Sequence, residues 1–334
     1  MVARPLAVVT GGSGFIGSHM VDLLLDRGFR VRVIDNLVGG RPTNLGQHRN
    51  NPDLILDTRD IRALAPADSL FVGASYVFHL AGIGDIVPSI ERPVEYMSAN
   101  VQGTVHVLEA ARHARVRKLV YAASSSCYGL ADVPTREDHP IAPQYPYALS
   151  KYLGEVAALH WYRVYGLPVN SIRIFNAYGP RSRTSGAYGA VFGVFLRQKL
   201  AGTPFTVVGD GTQKRDFVYV TDVATGFLHA AESPRAGEIY NLGAGNPQSI
   251  NRLTELLGGE AVYLPKRPGE PDCTWADTGK IRRELGWAPA VSFEDGVERV
   301  LAQIDYWRDA PLWDPESIAE ATRAWFVMLS SEAT

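Results

Sequence analysis

The chain has 334 residues, 46% of them hydrophobic, which is enough to bury a substantial core and excludes disorder of the whole. Its formal net charge is −2 and no run of Lys or Arg exceeds two, so a nucleic-acid footprint is excluded and the expected ligand is small. Cys127 and Cys273 are too few for a disulfide framework and lack metal or redox spacing, and no apolar run is long enough to span a bilayer.

The first expected strand is Leu6–Thr10, with no cationic, cleavable leader ahead of it, so a cytoplasmic protein is expected. Thr10-Gly-Gly-Ser-Gly-Phe-Ile-Gly17 follows directly and opens a helix over Ile16–Arg27. In that position Gly11 permits a tight turn, Gly14 lets a pyrophosphate approach backbone N–H groups, and Gly17 packs helix on sheet. The next strand, Arg30–Asp35, ends in a carboxylate about 20 residues on, as a dinucleotide motif requires. Asp35 can accept hydrogen bonds from an adenosine ribose and would repel a 2′-phosphate, so the expected cofactor is NAD. Asn36, and Asp57 after the strand Leu54–Leu56, extend the expected adenosine contacts.

Strands are expected at Tyr76–Leu80, Lys118–Ala123 and Val169–Phe175, and amphipathic helices at Pro88–Ala114 and Pro146–Tyr165. The alternation predicts a parallel sheet with helices on both faces. Within the second helix, Tyr147-Ala-Leu-Ser-Lys151 places a phenol and an ammonium one turn apart on one face. A cation that close favours phenolate and moves tyrosine from ~10 toward neutrality, where it serves as a general base. Ser124-Ser125-Ser126 follows the fifth strand, at the end of a parallel sheet where ligands bind.

After Asn176 the texture turns Gly-, Pro- and Arg-rich, with brief apolar runs at Phe205–Val208, Phe217–Val220, Ile239–Leu242 and Ala261–Leu264. Ile239–Leu242 is expected to rejoin the first sheet and Ala261–Leu264 to lie in a smaller lobe, so the lobes interleave in sequence. From Asp314, a helix N-capped by Asp314, with Pro315 in its first turn, carries Trp325, Phe326, Met328 and Leu329, which cover either the body or a partner subunit.

These motifs together resemble the extended short-chain dehydrogenase/reductase family, in its NAD-dependent epimerase/dehydratase branch. The resemblance spans roughly residues 6–308 and includes His79-Leu-Ala-Gly82, Asn100-Val-Gln-Gly-Thr104, Arg173-Ile-Phe-Asn-Ala-Tyr-Gly-Pro180, Arg215-Asp-Phe-Val-Tyr219, Asn241-Leu-Gly243 and Arg267-Pro-Gly-Glu270. It implies an α/β fold: a Rossmann doubly wound parallel sheet over 1–176, completed by about 222–258, and a smaller substrate-binding lobe over 177–221 and 259–310. Residues 311–334 form a C-terminal helical extension beyond the common pattern.

By resemblance, Phe15, Ile16, Leu80, Ala81, Gly82 and Asn100 lie beside the cofactor. Ser124 holds the sugar 4-hydroxyl next to Tyr147, Lys151 also holds the nicotinamide ribose, and Ser125 and Ser126 line the sugar pocket. Asn176, Arg215 and Arg267 meet the substrate diphosphate, to which guanidinium groups bind bidentately, and Glu270 the nucleotide ribose. Ala190 and Val191 lie near the nucleotide or sugar.

The expected reaction is 4-epimerisation of a UDP-hexose or UDP-N-acetylhexosamine, the alternatives within the family being a 4,6-dehydratase, a UDP-glucuronate decarboxylase or an epimerase at another carbon; the dehydratases and decarboxylases of similar sequence normally carry a carboxylate one or two residues after the position of Ser124. Here those positions are Ser125 and Ser126. The competing class, a non-catalytic NAD(H) sensor, often loses the tyrosine or lysine retained here. Thr274, ahead of Trp275-Ala276-Asp277, falls where related epimerases place a gate residue, and its small size leaves room for a 2-acetamido group. The resemblance also implies a homodimer in which Pro88–Ala114 and Pro146–Tyr165 pair as a four-helix bundle, with Val101, Val105, Leu108, Leu149, Leu153 and Val156 as candidate apolar stripes.

Overall fold

The computed structural model describes residues 4–182 and 191–329. Its elements run β1 (Leu6–Thr10), α1 (Phe15–Asp26), β2 (Arg30–Ile34), β3 (Leu54–Asp57), β4 (Tyr76–His79), α2 (Ile86–Glu91), α3 (Pro93–Met97), α4 (Gly103–His113), β5 (Lys118–Ser124), α5 (Pro146–Tyr165), β6 (Val169–Ile174) and β7 (Asn176–Tyr178). There follow α6 (Val191–Ala201), β8 (Phe205–Val208), β9 (Lys214–Arg215), β10 (Phe217–Tyr219), α7 (Val220–Glu232), β11 (Glu238–Leu242), β12 (Gln248–Ser249), α8 (Ile250–Leu257), β13 (Ala261–Leu264), α9 (Gly279–Leu285), α10 (Phe293–Leu301) and α11 (Pro315–Leu329).

Seven strands form one parallel sheet in the order β11-β6-β5-β4-β1-β2-β3. Strands β1 and β6 are buried along their whole length, because helices cover both faces. On one face Met20, Val21 and Leu24 of α1 pack with Val223, Ala224 and Phe227 of α7; on the other, Val107, Leu108 and Ala111 of α4 pack with Ala158 of α5. The chain winds outward in opposite directions from β1 and β4, and a crevice opens beyond their carboxyl ends, where doubly wound sheets bind ligands.

The helix expected over Pro88–Ala114 is broken. Pro93 starts α3 with its ring in place of an N–H and forces Arg92 out of the helical region, to φ −130° and ψ 54°. A π-helical turn over Ser98–Gln102 then precedes α4 and turns Asn100 inward. Helix α5 instead has the expected bounds: Pro146 occupies its first turn and Gly166, at φ 68°, ends it in the left-handed region.

Strand β6 stops one residue short of expectation. Phe175 leaves the large sheet, and Asn176–Tyr178 pairs with β10 instead. Two further small sheets, β12-β9 and β13-β8, join α6, α8 and α10 around a separate apolar core containing Phe192, Phe217, Leu253 and Val297. Helix α11 begins as expected, with the Asp314 carboxylate accepting from Ser317 N at 2.8 Å. Among the described residues no helix is long and apolar enough to cross a membrane.

Candidate active site

A cleft of about 830 Å³ runs from the β1–α1 turn, across the carboxyl ends of β4 and β5, to the small sheets and α11. At its first end Gly11, at φ 71°, begins the turn into α1, and a Cβ there would lie 2.7 Å from Ala81 N. A Cβ on Gly17 would fall 2.0 Å from Gly11 O, so the helix can approach the turn this closely only with glycine. No side chain caps α1, whose first N–H groups and positive dipole end face the cleft alongside Phe15 and Ile16. Exposed N–H groups, a positive helix end and room beside glycine are what binding a pyrophosphate requires.

Strand β2 ends at Ile34, so Asp35 stands just beyond its carboxyl edge. Its carboxylate accepts from Ser13 N and Leu37 N, each at 2.9 Å, which holds it in place and leaves acceptor capacity for a ribose diol. Burial pushes its acid strength down, against the pull of those backbone N–H groups. Asn36 lines the cleft beside it and donates to Asp60 Oδ2 at 2.8 Å.

Two expected cofactor contacts are corrected. Asp57 does not line the cleft: it is turned onto Arg59, with Oδ1 3.0 Å from Nε. The chain returns to the cleft three residues later, where Asp60, Ile61 and Arg62 form the wall and Arg62 holds the Asp60 carboxyl well below the usual range. Asn100 is buried behind the cleft. It accepts from Ile83 N at 2.8 Å and donates to Ile83 O and Ser150 Oγ at 3.0 and 2.9 Å, bracing the Gly82–Ile83 turn from beneath. Leu80, Ala81 and Gly82 themselves line the cleft.

At the centre, Ser124 ends β5, while Tyr147 and Lys151 stand on the first two turns of α5. The Ser124 hydroxyl lies 2.7 Å from Ser126 Oγ and near enough to the Tyr147 phenol to favour its ionised form. The expected lowering of the phenol's pKa is not found. Burial pushes Tyr147 up, the Ser124 hydroxyl opposes this, and the Asp85 charge adds to it. Lys151 is buried too and is pushed down to about 8, its Nζ lying 4.7 Å from the Tyr121 ring centre. Glu155, one turn on, offers it little because it is paired to Arg173 at 2.6 Å. Burial thus disfavours both charged forms, and at neutral pH the pair rests as phenol and ammonium.

Cys127 is buried beside this centre with its thiol pushed up to about 12 by desolvation, which makes it a packed side chain and a poor nucleophile. His79 is enclosed between Thr10 Oγ1 and Thr104 Oγ1, at 2.7 and 2.9 Å, and ties two strands to α4.

At the far end Arg215 donates to Glu270 Oε1 at 2.7 Å, and Arg267 stands 3.8 Å from Glu270 Oε2. Two guanidinium groups therefore face the cleft with one carboxylate between them. Asn176 Oδ1 accepts from Thr274 Oγ1 at 2.7 Å, and both line the cleft with Ser125, Ser126 and Val191. Ala190 lies outside the described residues. The sequence reading did not single out Tyr145 or Asp85, nor assign Trp325 to the site, yet all three line the cleft. Tyr145 precedes the Tyr147 motif by two residues, a local hint; nothing local marks the docking of Trp325.

The profile of the NAD dependent epimerase/dehydratase family matches residues 7–243. The chain is 35% identical over 306 residues to the UDP-glucose 4-epimerase of Mycolicibacterium smegmatis, covering 88% of this chain and 96% of that protein. It is 34% identical over 310 residues to the UDP-glucuronate 4-epimerase of Thermodesulfobacterium geofontis, covering 88% and 94%. Its fold matches the UDP-N-acetylglucosamine 4-epimerase from Methanobrevibacter ruminantium, solved in complex with UDP-N-acetylmuramic acid, with a TM-score of 0.84 at 30% identity, covering 90% of this chain and 100% of that one.

Proposed function

Because the chain belongs to the NAD-dependent epimerase/dehydratase family, we propose that it is a nucleotide-sugar 4-epimerase acting on a UDP-hexose or UDP-N-acetylhexosamine. The Gly11–Gly17 turn and α1 hold the pyrophosphate of NAD, with Asp35 and Asn36 at its adenosine end and Leu80, Ala81 and Gly82 along its length. NAD bound there would supply a reversible hydride acceptor for the sugar C4 and, in its oxidised form, a positive charge that would favour phenolate. Tyr147 removes the proton of the 4-hydroxyl and later gives it back. Ser124 orients that hydroxyl, and Lys151 holds the nicotinamide ribose and its own positive charge beside the phenol. Arg215, Arg267 and Asn176 grip the substrate diphosphate, which competes with Glu270 for both arginines.

The observation that carries epimerisation over dehydration is the pair of hydroxyls after Ser124. A dehydratase moves protons at C5 and C6 as well as C4, and neither Ser125 nor Ser126 is an acid at neutral pH. A dehydratase reading would have to recruit Asp85, the carboxylate whose charge reaches Tyr147. Chromatography of the products formed from a panel of UDP-, GDP-, CDP- and dTDP-sugars tests the proposal. A C4 epimer from a UDP-sugar supports it, and a deoxy or decarboxylated product refutes it.

The same reading assigns 1–176 with about 222–258 to NAD, and 177–221 with 259–310 to the sugar nucleotide. It also includes a homodimer. Leu149, Leu153 and Val156 are each more than a third exposed along one face of α5, an apolar stripe suited to a two-fold contact. Leu108 does not belong to that stripe, because it is fully buried against its own sheet.

A further inference from the structure

Helix α11 buries Ile318, Thr322 and Trp325 on one face while Val327 and Met328 stand in solvent. Trp325 makes three contacts at the substrate end of the cleft. Its indole N–H donates to Pro268 O at 2.8 Å, the Arg267 guanidinium lies over its ring at 5.5 Å from the centre, and the ring meets that of Tyr145 at 6.1 Å. Tyr145 in turn stacks on Tyr147, with centres 6.4 Å apart and planes 7° from parallel. An aromatic row therefore runs from the group that moves the proton to an arginine assigned to the diphosphate.

An arginine on a loop loses rotamer freedom when it grips a phosphate, and that loss weakens binding unless the side chain is already held. Trp325 holds Arg267 twice. The Arg267 guanidinium carbon lies over its ring, and the indole N–H anchors the neighbouring peptide through Pro268 O. Gly269, at φ 69°, follows directly; the far side of this turn is held separately, by Arg215 donating to Pro271 O at 2.9 Å and to Glu270 Oε1 at 2.7 Å, so Trp325 anchors the Arg267 side.

We propose that Trp325 is a positioning residue for the nucleotide diphosphate: α11 latches the 267–270 turn and presents Arg267 ready to bind. The proposal rests on the reading of Arg267 as a diphosphate clamp, and the test separates the two. Holding NAD-loaded protein constant, UDP is titrated calorimetrically into wild type, Trp325→Ala, Trp325→Phe, Arg267→Met and the Arg267→Met/Trp325→Ala double variant, and KM and kcat are measured with UDP-glucose and UDP-N-acetylglucosamine.

Trp325→Ala is expected to weaken UDP binding about tenfold and to raise KM by more than it lowers kcat, with NAD retained. Trp325→Phe keeps the ring and recovers part of the loss. On the Arg267→Met background the tryptophan change adds nothing further, because its effect passes through Arg267. Wild-type UDP affinity in Trp325→Ala, with weakened binding in Arg267→Met, overturns the latch and leaves the clamp standing. Undiminished UDP affinity in Arg267→Met overturns the clamp itself. An undiminished Trp325→Ala effect on the Arg267→Met background, or loss of NAD in both tryptophan variants, also overturns the proposal.

Discussion

Lys151→Met is expected to abolish turnover and yet stabilise the fold at neutral pH. The ammonium is buried on α5 and pushed from 10.5 down to about 8, with burial the largest cause and Glu155 opposing it. The unfolded chain therefore binds this proton more tightly than the folded one. Below about pH 8 the buried charge costs stability, and the cost is relieved as the pH rises from about 8 through 10.5. The difference between those values corresponds to roughly 3 kcal/mol. Methionine keeps most of the stem and removes the charge. In urea denaturation of nucleotide-free protein, the variant should exceed wild type by roughly 3 kcal/mol at pH 7, and this advantage should shrink toward zero by about pH 10.5. An equal stability difference at both pH values, or a variant less stable than wild type at pH 7, would refute the argument that the lysine is held charged at a cost.

Three further outcomes follow from the geometry. Tyr147→Phe should lower turnover by roughly 10²–10⁴-fold while UDP affinity by calorimetry changes little, because only the proton-transferring oxygen is lost. Thr274→Tyr should reduce kcat/KM for UDP-N-acetylglucosamine by about tenfold or more, relative to UDP-glucose, since the added ring fills the space beside Asn176; equal losses on both sugars would remove Thr274 as the gate. Replacing Leu149, Leu153 and Val156 by Glu should convert a dimer to a monomer in solution scattering, and an unchanged mass would place the subunit contact elsewhere.

The parts of the site legible in the sequence are those whose constraint is local. Gly17 is demanded by Gly11 O within the same turn and Gly11 by its own φ of 71°, although the Ala81 backbone that also crowds Gly11 comes from a distant strand end; the ends of α5 are written in Pro146 and Gly166. Asp35 is legible because a strand end and a motif spacing agree on it. What the pattern does not contain is long-range. The break before α3 is signalled by Pro93, but the π turn answers to Asn100 reaching across to Ile83, a partner 17 residues away. The sequence points to Asp57 as an adenosine contact because it follows the third strand, but the path of the chain after β3 turns Asp57 onto Arg59 and brings Asp60, which nothing in the pattern singles out, to the cleft. Spacing also shows that Tyr147 and Lys151 share a helix face, but not that both are buried, and burial reverses the expected shift of the phenol. The capped helix at Asp314 is visible locally, whereas its docking through Trp325 depends on Arg267 and Tyr145, distant in the chain.

The central claim, transient oxidation at C4 followed by return of hydride to the other face of the same sugar, is tested most directly by isotope position. UDP-glucose and UDP-N-acetylglucosamine carrying deuterium at C4 are incubated with the NAD-loaded protein and the products read by NMR. The account predicts the C4 epimer with deuterium retained at C4 and no solvent hydrogen gained at C5. Deuterium found at C6 of a 4-keto-6-deoxy product, or exchange at C5, would contradict it.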